Sequence, residues 1–289
     1  MTPLCLILNF SLGTYASRVT SHESRVTSHE SPVTLFSIFT TNPCPMYLLA
    51  DAGNTRIKLA VSDGEQIVHV EIFREWSSAG MVDLLRLYPE IDRSLFCAAR
   101  EVPDWLPVVL HARNIIYREL DHKMPLPITL GYETPGTLGP DRIALAAGAA
   151  ARFPGRNVLA IDAGTALTME LVTAGGHYPG GTISPGLRMR FKALHDHTSR
   201  LPEAEPGPDV PLIGRNTPDA IRAGVVNGII HEVDNSINSL KNKYNDLAVI
   251  LTGGDARYLS GHLENAIFVD ENLVLNGLNA ILHHYSDQE

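Results

Sequence analysis

The chain has 289 residues, of which 44% are hydrophobic and 19% charged, with a mean hydropathy of zero. That is enough apolar material for a sizeable core, which excludes disordered and collagen-like classes, and no apolar run reaches the ~18 residues of a membrane span. The net charge of −9, from 32 acidic against 23 basic residues with no Lys/Arg run, argues against a nucleic-acid partner.

In chain order, the first forty-five residues read differently from the rest. Residues 17–23 and 24–30 are the same heptapeptide, Ser-Arg-Val-Thr-Ser-His-Glu, with a degenerate third start at Ser31-Pro32-Val33-Thr34. One Val per heptad gives no coiled-coil seam, so this polar repeat has nothing to bury. The apolar stretch Leu4 to Phe10 lacks the preceding Lys or Arg and the small-residue cleavage site of a signal peptide. Residues 1–45 are therefore expected to be a disordered tail, or the product of a start codon upstream of the true one at Met46. The three cysteines, Cys5, Cys44 and Cys97, form no C-x-x-C pair and no zinc spacing, which points to a reducing compartment. Cys97, in Leu95-Phe96-Cys97-Ala98-Ala99, reads as a buried thiol.

From residue 46 the sequence repeats one idea twice. Asp51-Ala52-Gly53-Asn54-Thr55 follows the β-type run Tyr47 to Ala50, and Asp162-Ala163-Gly164-Thr165-Ala166 follows the run Asn157 to Ile161. Each returns to apolar residues and ends at a turn signal, Ser62-Asp63-Gly64 or Thr173-Ala174-Gly175-Gly176. Each copy is thus expected to be a β-hairpin with a Gly-containing turn, and the pair predicts a duplicated two-domain molecule. Arg142 to Arg152 is expected to form a helix, ended by Phe153-Pro154-Gly155. A second helix is expected to open at Thr217-Pro218-Asp219, with Thr217 as N-cap, and to run toward Leu240. Ala248 to Thr252 reads as a buried strand ending at Gly253-Gly254-Asp255, and Asn272 to His284 as a terminal helix.

Three segments carry chemistry. In the turn Asp51 to Lys58, Gly53, Asn54, Thr55 and Lys58 supply the small residue, the donors and the cation that a phosphate-gripping turn needs. Asp51 would then hold Mg²⁺, since a carboxylate repels phosphate; an ordinary hairpin turn is the plainer alternative. In Gly139-Pro140-Asp141-Arg142, Asp141 is either a helix cap or a base for a hydroxyl being phosphorylated, and Arg142 either solvated or a bidentate clamp on an anion. Tyr178 to Gly186 packs Gly/Pro turns around a strand and is expected to make a rigid loop, either a substrate wall or a complicated hairpin. His195 and His197, like His283 and His284, read as surface residues. No P-loop, G-x-G-x-x-G or G-x-S-x-G motif is present.

Taken together, residues 46–285 resemble the type III pantothenate kinases, of the acetate kinase/sugar kinase/hsp70/actin superfamily. The resemblance rests on six motifs in order: Asp51 to Lys58; Tyr132 with Gly139-Pro140-Asp141-Arg142; Asp162-Ala163-Gly164-Thr165-Ala166; Gly180-Gly181-x-Ile183-x-Pro185-Gly186; Thr198-Ser199-x-Leu201-Pro202; and Thr217 before an apolar helix with Gly224. It implies an α/β, duplicated actin-like (ribonuclease H-like) ATPase fold, each domain a mixed sheet with flanking helices. The domains would be 46–155 and 156–289, with 1–45 an extension foreign to the family. It implies transfer of phosphate from ATP to the 4′-hydroxyl of pantothenate, opening coenzyme A biosynthesis. Asp51, Ala52, Gly53, Asn54, Thr55, Arg56, Ile57 and Lys58 would bind ATP with Thr165, and Asp51 would face Mg²⁺. Asp141 would be the general base, with Tyr132, Gly139, Pro140, Arg142 and Thr217 around pantothenate and Arg142 suited to its carboxylate. Asp162 would bind a monovalent cation, K⁺ or NH₄⁺, and Gly253-Gly254-Asp255 would lie on the adenosine side. A cytoplasmic homodimer is implied, with neither membrane nor nucleic acid as partner. The alternatives are a kinase of the same superfamily for a sugar or carboxylic acid, and a non-catalytic regulatory relative.

Overall fold

The computed structural model describes residues 45–286. The expectations for residues 1–44, Cys5 and Cys44 among them, fall outside the described residues, as do the last three positions.

The first half runs β1 (Met46–Ala52), β2 (Ile57–Ser62), β3 (Ile67–Phe73), α1 (Ser78–Leu87), β4 (Ile91–Ala98), α2 (Trp105–His111), β5 (Ile116–Glu119), β6 (Thr129–Leu130) and α3 (Pro140–Arg152). The second half runs β7 (Val158–Ala163), β8 (Ala166–Val172), β9 (His177–Tyr178), β10 (Gly180–Pro185), α4 (Leu187–Asp196), α5 (Thr217–Lys243), β11 (Ala248–Thr252), α6 (Ala256–Ser260), β12 (Phe268–Val269) and α7 (Leu273–Ser286). The two large sheets have the orders β3-β2-β1-β4-β5 and β10-β8-β7-β11-β12. Each is antiparallel on the hairpin side and parallel on the other. The duplication expected from the two Asp-Ala-Gly segments is therefore a duplication of topology, and the molecule has the α/β, paired mixed-sheet architecture of the actin-like fold.

Strand alternation sorts the apolar residues into three cores. Leu48, Ala50, Ile57, Leu59 and Val61 face outward to α1 and α2. Leu159, Ile161, Leu167, Met169 and Val249 face outward to α4, α5 and α6. The inner faces, with Tyr47, Leu49, Ala60, Val158, Ala160 and Ile250, enclose α3 and α7 between the sheets. α7 belongs to the second half of the chain yet packs on β1, β3 and β4 as well as on α3. The two central helices meet at glycines. A Cβ on Gly277 would stand 1.8 Å from the Ala144 carbonyl oxygen, and one on Gly148 would stand 2.3 Å from that of Leu273. Only glycine permits that approach. Among the described residues, no helix is long and apolar enough to cross a membrane.

Four local expectations are corrected. α3 begins at Pro140 with Gly139 as N-cap, so Asp141 lies in the first turn and is not the cap. Proline is tolerated at the first helical position because its missing N–H would be unpaired there anyway. α5 is capped by Asn216, whose Oδ1 accepts from the Asp219 N–H at 2.9 Å, and Thr217 is the first helical residue. The strand expected between the Gly/Pro turns after Tyr178 takes up the whole of Gly180–Pro185 as β10, on the edge of the second sheet, in place of a rigid loop. Finally, the two hairpins differ by one residue. Asp51 pairs with Lys58, but Asp162 pairs with Thr168, so the second turn is one shorter.

Candidate active site

Asp51 and Asp162 are the second-last residues of β1 and β7. They share the strand face of Leu49 and Ala160, so both point into the layer of α3 and α7 rather than toward the outer helices. Asp141, in the first turn of α3, enters the same space. Burial pushes Asp51 up to about 6; Lys58 opposes this, and the Asp141 charge adds to it. Burial, with Asp51 and Asp141 adding their charges, pushes Asp162 up to about 7. Three carboxylates drawn from two hairpins and a helix start therefore feel one another.

The turns themselves converge. Thr55 Oγ1 in the first lies 3.4 Å from Thr165 Oγ1 in the second. Gly253, at φ +100°, wraps the end of β7; a Cβ there would meet Asp162 Oδ1 at 2.4 Å and the Ala163 carbonyl oxygen at 2.5 Å. Its neighbour Gly254 passes beside the Arg56 guanidinium, so an arginine of the first hairpin reaches the loop after β11. Asp51, Gly53, Asn54, Thr55, Arg56, Asp162 and Thr165 are thus brought together where the two turns meet. Ala52 and Ile57, in the same stretch, bury their side chains in the outer core and can offer only backbone.

Lys58 departs from the simple picture of a phosphate-facing cation. It lies opposite Asp51 in the hairpin and is buried, and its ammonium donates to the carbonyl of Glu271, just before α7. Burial and the Arg56 charge lower its pKa, against Asp51, Glu271 and Asp162. It ties the first hairpin to the central layer while offsetting the aspartates.

Arg142 is also more engaged than expected. Its Nε and Nη2 donate to Glu170 Oε1 and Oε2 at 2.6 and 2.9 Å, a buried bidentate pair. The Tyr178 hydroxyl donates to the same carboxylate at 2.6 Å. Burial works to lower the Arg142 pKa, but the Glu170 hydrogen bond and charge outweigh it, and the guanidinium stays charged. The edge that would have clamped an anion in bidentate fashion is occupied by Glu170. What remains free of Glu170 is Nη1, 3.5 Å from the Tyr132 hydroxyl, with the guanidinium 5.4 Å from the Tyr132 ring centroid. Tyr132 in turn stacks on Tyr178 with centroids 6.4 Å apart. Gly139, Pro140, Asp141, Arg142 and Tyr132 therefore form one wall. Thr217 is exposed at the start of α5, which packs on the opposite face of the second sheet from α3. Among the described residues, no hydrogen bond or ring contact joins it to that wall.

The oxygen-rich, net-acidic donor set fits hard cations. Among the described residues, no three His, Cys, Asp or Glu side chains converge as a protein-only metal cage. Mg²⁺ is a cation of that hard class: it keeps several waters and takes one or two carboxylates plus substrate phosphates. Two participants were not evident from the sequence. Glu170, in the apolar run Leu167 to Val172, carried a signal in its inward strand parity; Arg100, whose guanidinium reaches the first turn, carried none.

The sequence model of the type III pantothenate kinase family matches residues 47–239. A type III pantothenate kinase of Christiangramia forsetii is 41% identical over 244 residues, covering 84% of this chain and all of that protein. One from Bacteroides fragilis is 40% identical over 239 residues, covering 83% of this chain and 98% of that protein. Among solved structures, a Baf family protein from Campylobacter jejuni aligns at TM-score 0.51 and 20% identity over 83% of this chain and 99% of its own. A Sinorhizobium meliloti protein named for 2-dehydro-3-deoxygalactonokinase aligns at TM-score 0.50 and 12% identity over 81% and 97%. The structural neighbours carry the fold, and the sequence relatives carry the family: this chain belongs to the type III pantothenate kinases.

Proposed function

We propose that the chain transfers the γ-phosphoryl group of ATP to the 4′-hydroxyl of pantothenate, the first step of coenzyme A biosynthesis. The observation that carries this reading is the pair of buried strand-end aspartates, Asp51 and Asp162, behind two hairpin turns that meet at Thr55 and Thr165, with the Asp141 charge felt by both, in a chain of this family. Phosphoryl transfer requires positioning and neutralisation of charge more than covalent chemistry by the protein. Gly53, Asn54, Thr55 and Arg56 hold the phosphates from one side and Thr165 from the other. Asp51 would hold Mg²⁺, which would supply neutralisation of the charge on the phosphates. Asp162 would hold a monovalent cation, K⁺ or NH₄⁺, which would offset the charge of the buried carboxylates beside it.

Asp141 takes the proton of the attacking hydroxyl as its oxygen bonds to the γ-phosphorus and the bond to the ADP oxygen breaks. The start of α3, where the backbone dipole is positive, stabilises the carboxylate before it accepts the proton. Arg142, fixed by Glu170, and Tyr132 orient pantothenate, with the Arg142 Nη1 edge toward its carboxylate. We assign the lobes to 46–155 and 156–289 and the working form to a cytoplasmic homodimer. Its support is the exposed Leu212 and Ile213 just before α5; a Thr217 contact with pantothenate would then come from a second chain.

The test is steady-state ADP release by protein starting at Met46, with Mg-ATP and pantothenate, in K⁺ and then in Na⁺ buffer. Pantothenate-dependent turnover stimulated by K⁺ is expected. Turnover equal in both buffers would remove the cation role of Asp162, and none in either would remove pantothenate as substrate.

A further inference from the structure

Arg100 follows β4, beside the end of β1, where the Ala99 N–H extends the strand pairing by donating to the Ala52 carbonyl at 3.0 Å. Its side chain is 18% exposed. Three of its four hydrogen bonds go to backbone carbonyls: Nε to Gly53 at 2.8 Å, Nη2 to Asn54 at 2.5 Å and Nη1 to Arg74 at 3.1 Å. The fourth, Nη1 to Glu75 Oε2 at 3.2 Å, reaches an exposed carboxylate. The guanidinium fork is thus spent chiefly on two successive peptides of the first hairpin turn.

In a trans peptide the carbonyl and the N–H point to opposite sides. Drawing the Gly53 and Asn54 carbonyls toward Arg100 therefore turns the N–H groups of Asn54 and Thr55 away from it. No backbone or side-chain acceptor takes either N–H among the described residues. The same turn faces the second hairpin, where Thr55 Oγ1 meets Thr165 Oγ1 at 3.4 Å. Successive free N–H groups aimed into one concavity bind anions, and a cation drawing electron density from their carbonyls polarises them further.

We propose that Arg100 is a positioning residue for nucleotide phosphates: it touches no substrate, but fixes the two peptides whose N–H groups receive them. The proposal rests on the reading of residues 51–58 as the phosphate turn. Lysine cannot replace it, because a single ammonium cannot span the carbonyls that the planar fork engages together. The chemical class it serves is a nucleoside polyphosphate, and pantothenate binding does not depend on it.

The experiment compares wild type with Arg100→Lys and Arg100→Ala by calorimetric titration with Mg-ATP, by KM for each substrate, by thermal melting, and with added methylguanidinium. Both variants are expected to bind Mg-ATP about tenfold or more weaker, the loss of charge-assisted hydrogen bonds, with the pantothenate KM unchanged. Methylguanidinium is expected to restore nucleotide binding to Arg100→Ala and to leave wild type unaltered. Nucleotide affinity within twofold of wild type would overturn the proposal. So would parallel loss of both substrates with a lowered melting temperature and no rescue, which marks a merely structural brace. Wild-type protein that itself fails to bind Mg-ATP would instead sink the phosphate-turn reading, whatever Arg100 does.

Discussion

The approach of α3 to α7 makes Gly277→Ala a sharp test of the central layer. The added Cβ would lie 1.8 Å from the Ala144 carbonyl oxygen and 2.6 Å from its carbonyl carbon. Ordinary contact would need the helices to part by about 1.5 Å. Both obstacles are backbone, and α3 is packed on each side by a sheet, so neither helix can yield cheaply. Overpacking of this kind costs about 3 kcal/mol, the upper end of the usual range, and the better helix propensity of alanine returns about 1 kcal/mol. The net loss of about 2 kcal/mol should lower the melting temperature by about 4–8 °C in a domain of this size. Gly228→Ala on α5, where an added Cβ meets nothing within 4 Å, should raise it by about 2–4 °C on propensity alone. Because Ala144 lies one turn from Asp141, the Gly277 variant should also lose turnover at temperatures where it remains folded; displacements near 1 Å cost up to about 100-fold. Melting curves and kcat for the two variants decide the matter. A Gly277→Ala protein as stable as wild type would refute the glycine–glycine crossing.

Asp141→Asn should leave melting unchanged and reduce kcat by at least about 100-fold; retained turnover, measured as ADP release, would remove Asp141 from the role of base. Glu170→Gln leaves the buried Arg142 charge without its counterion and should cost about 3 kcal/mol in urea unfolding, raising KM for pantothenate but not for ATP; equal effects on both substrates would detach Arg142 from the acceptor. Asp162→Asn should stabilise the ligand-free protein while abolishing activation by K⁺. The rise of the Asp162 pKa from 3.8 to about 7 corresponds to about 4 kcal/mol. A carboxyl with a raised folded pKa binds its proton more tightly when folded, so its stability contribution is present below about pH 4 and lost as pH rises to about 7. The gain from Asp162→Asn should therefore be large at pH 8 and small at pH 4, and a pH-independent difference in melting temperature would contradict the burial of this charge.

Much of this was legible because the fold's local signals agree with its global plan. Asp51 and Asp162 announced themselves by sitting at the end of apolar runs before glycine turns, and the strand Ala248–Thr252 was read with its observed bounds. The helix starts were less so. Asn216-Thr217-Pro218-Asp219 offers two cap residues one apart, and proline is accepted at either of the first two helical positions. The tie is broken by geometry, since only the Asn216 side chain reaches the Asp219 N–H. The pairing of Arg142 with Glu170, 28 residues away, was hidden for a different reason. It depends on α3 lying against β8, a non-local contact that neither segment encodes alone. Arg100 is the extreme case, since a lone arginine after a strand has no periodicity to betray it.

Strand parity carries a further part of the site. β1, β2, β7 and β8 contain between them only four charged residues: Asp51, Lys58, Asp162 and Glu170. A charge on the solvent face of a sheet would need no explanation, but these strands are covered on both faces and have no solvent face. Each of the four alternates in phase with the residues that pack against α3 and α7, so all four are committed to the same layer. Unpaired charges there would cost several kcal/mol each, and chance would have scattered them over both faces. Their restriction to one face, and to the hairpin strands of both sheets, marks that layer as the place where opposite charges meet. On that ground alone Glu170 belongs with Asp162, two strand positions on the same inward face of one hairpin.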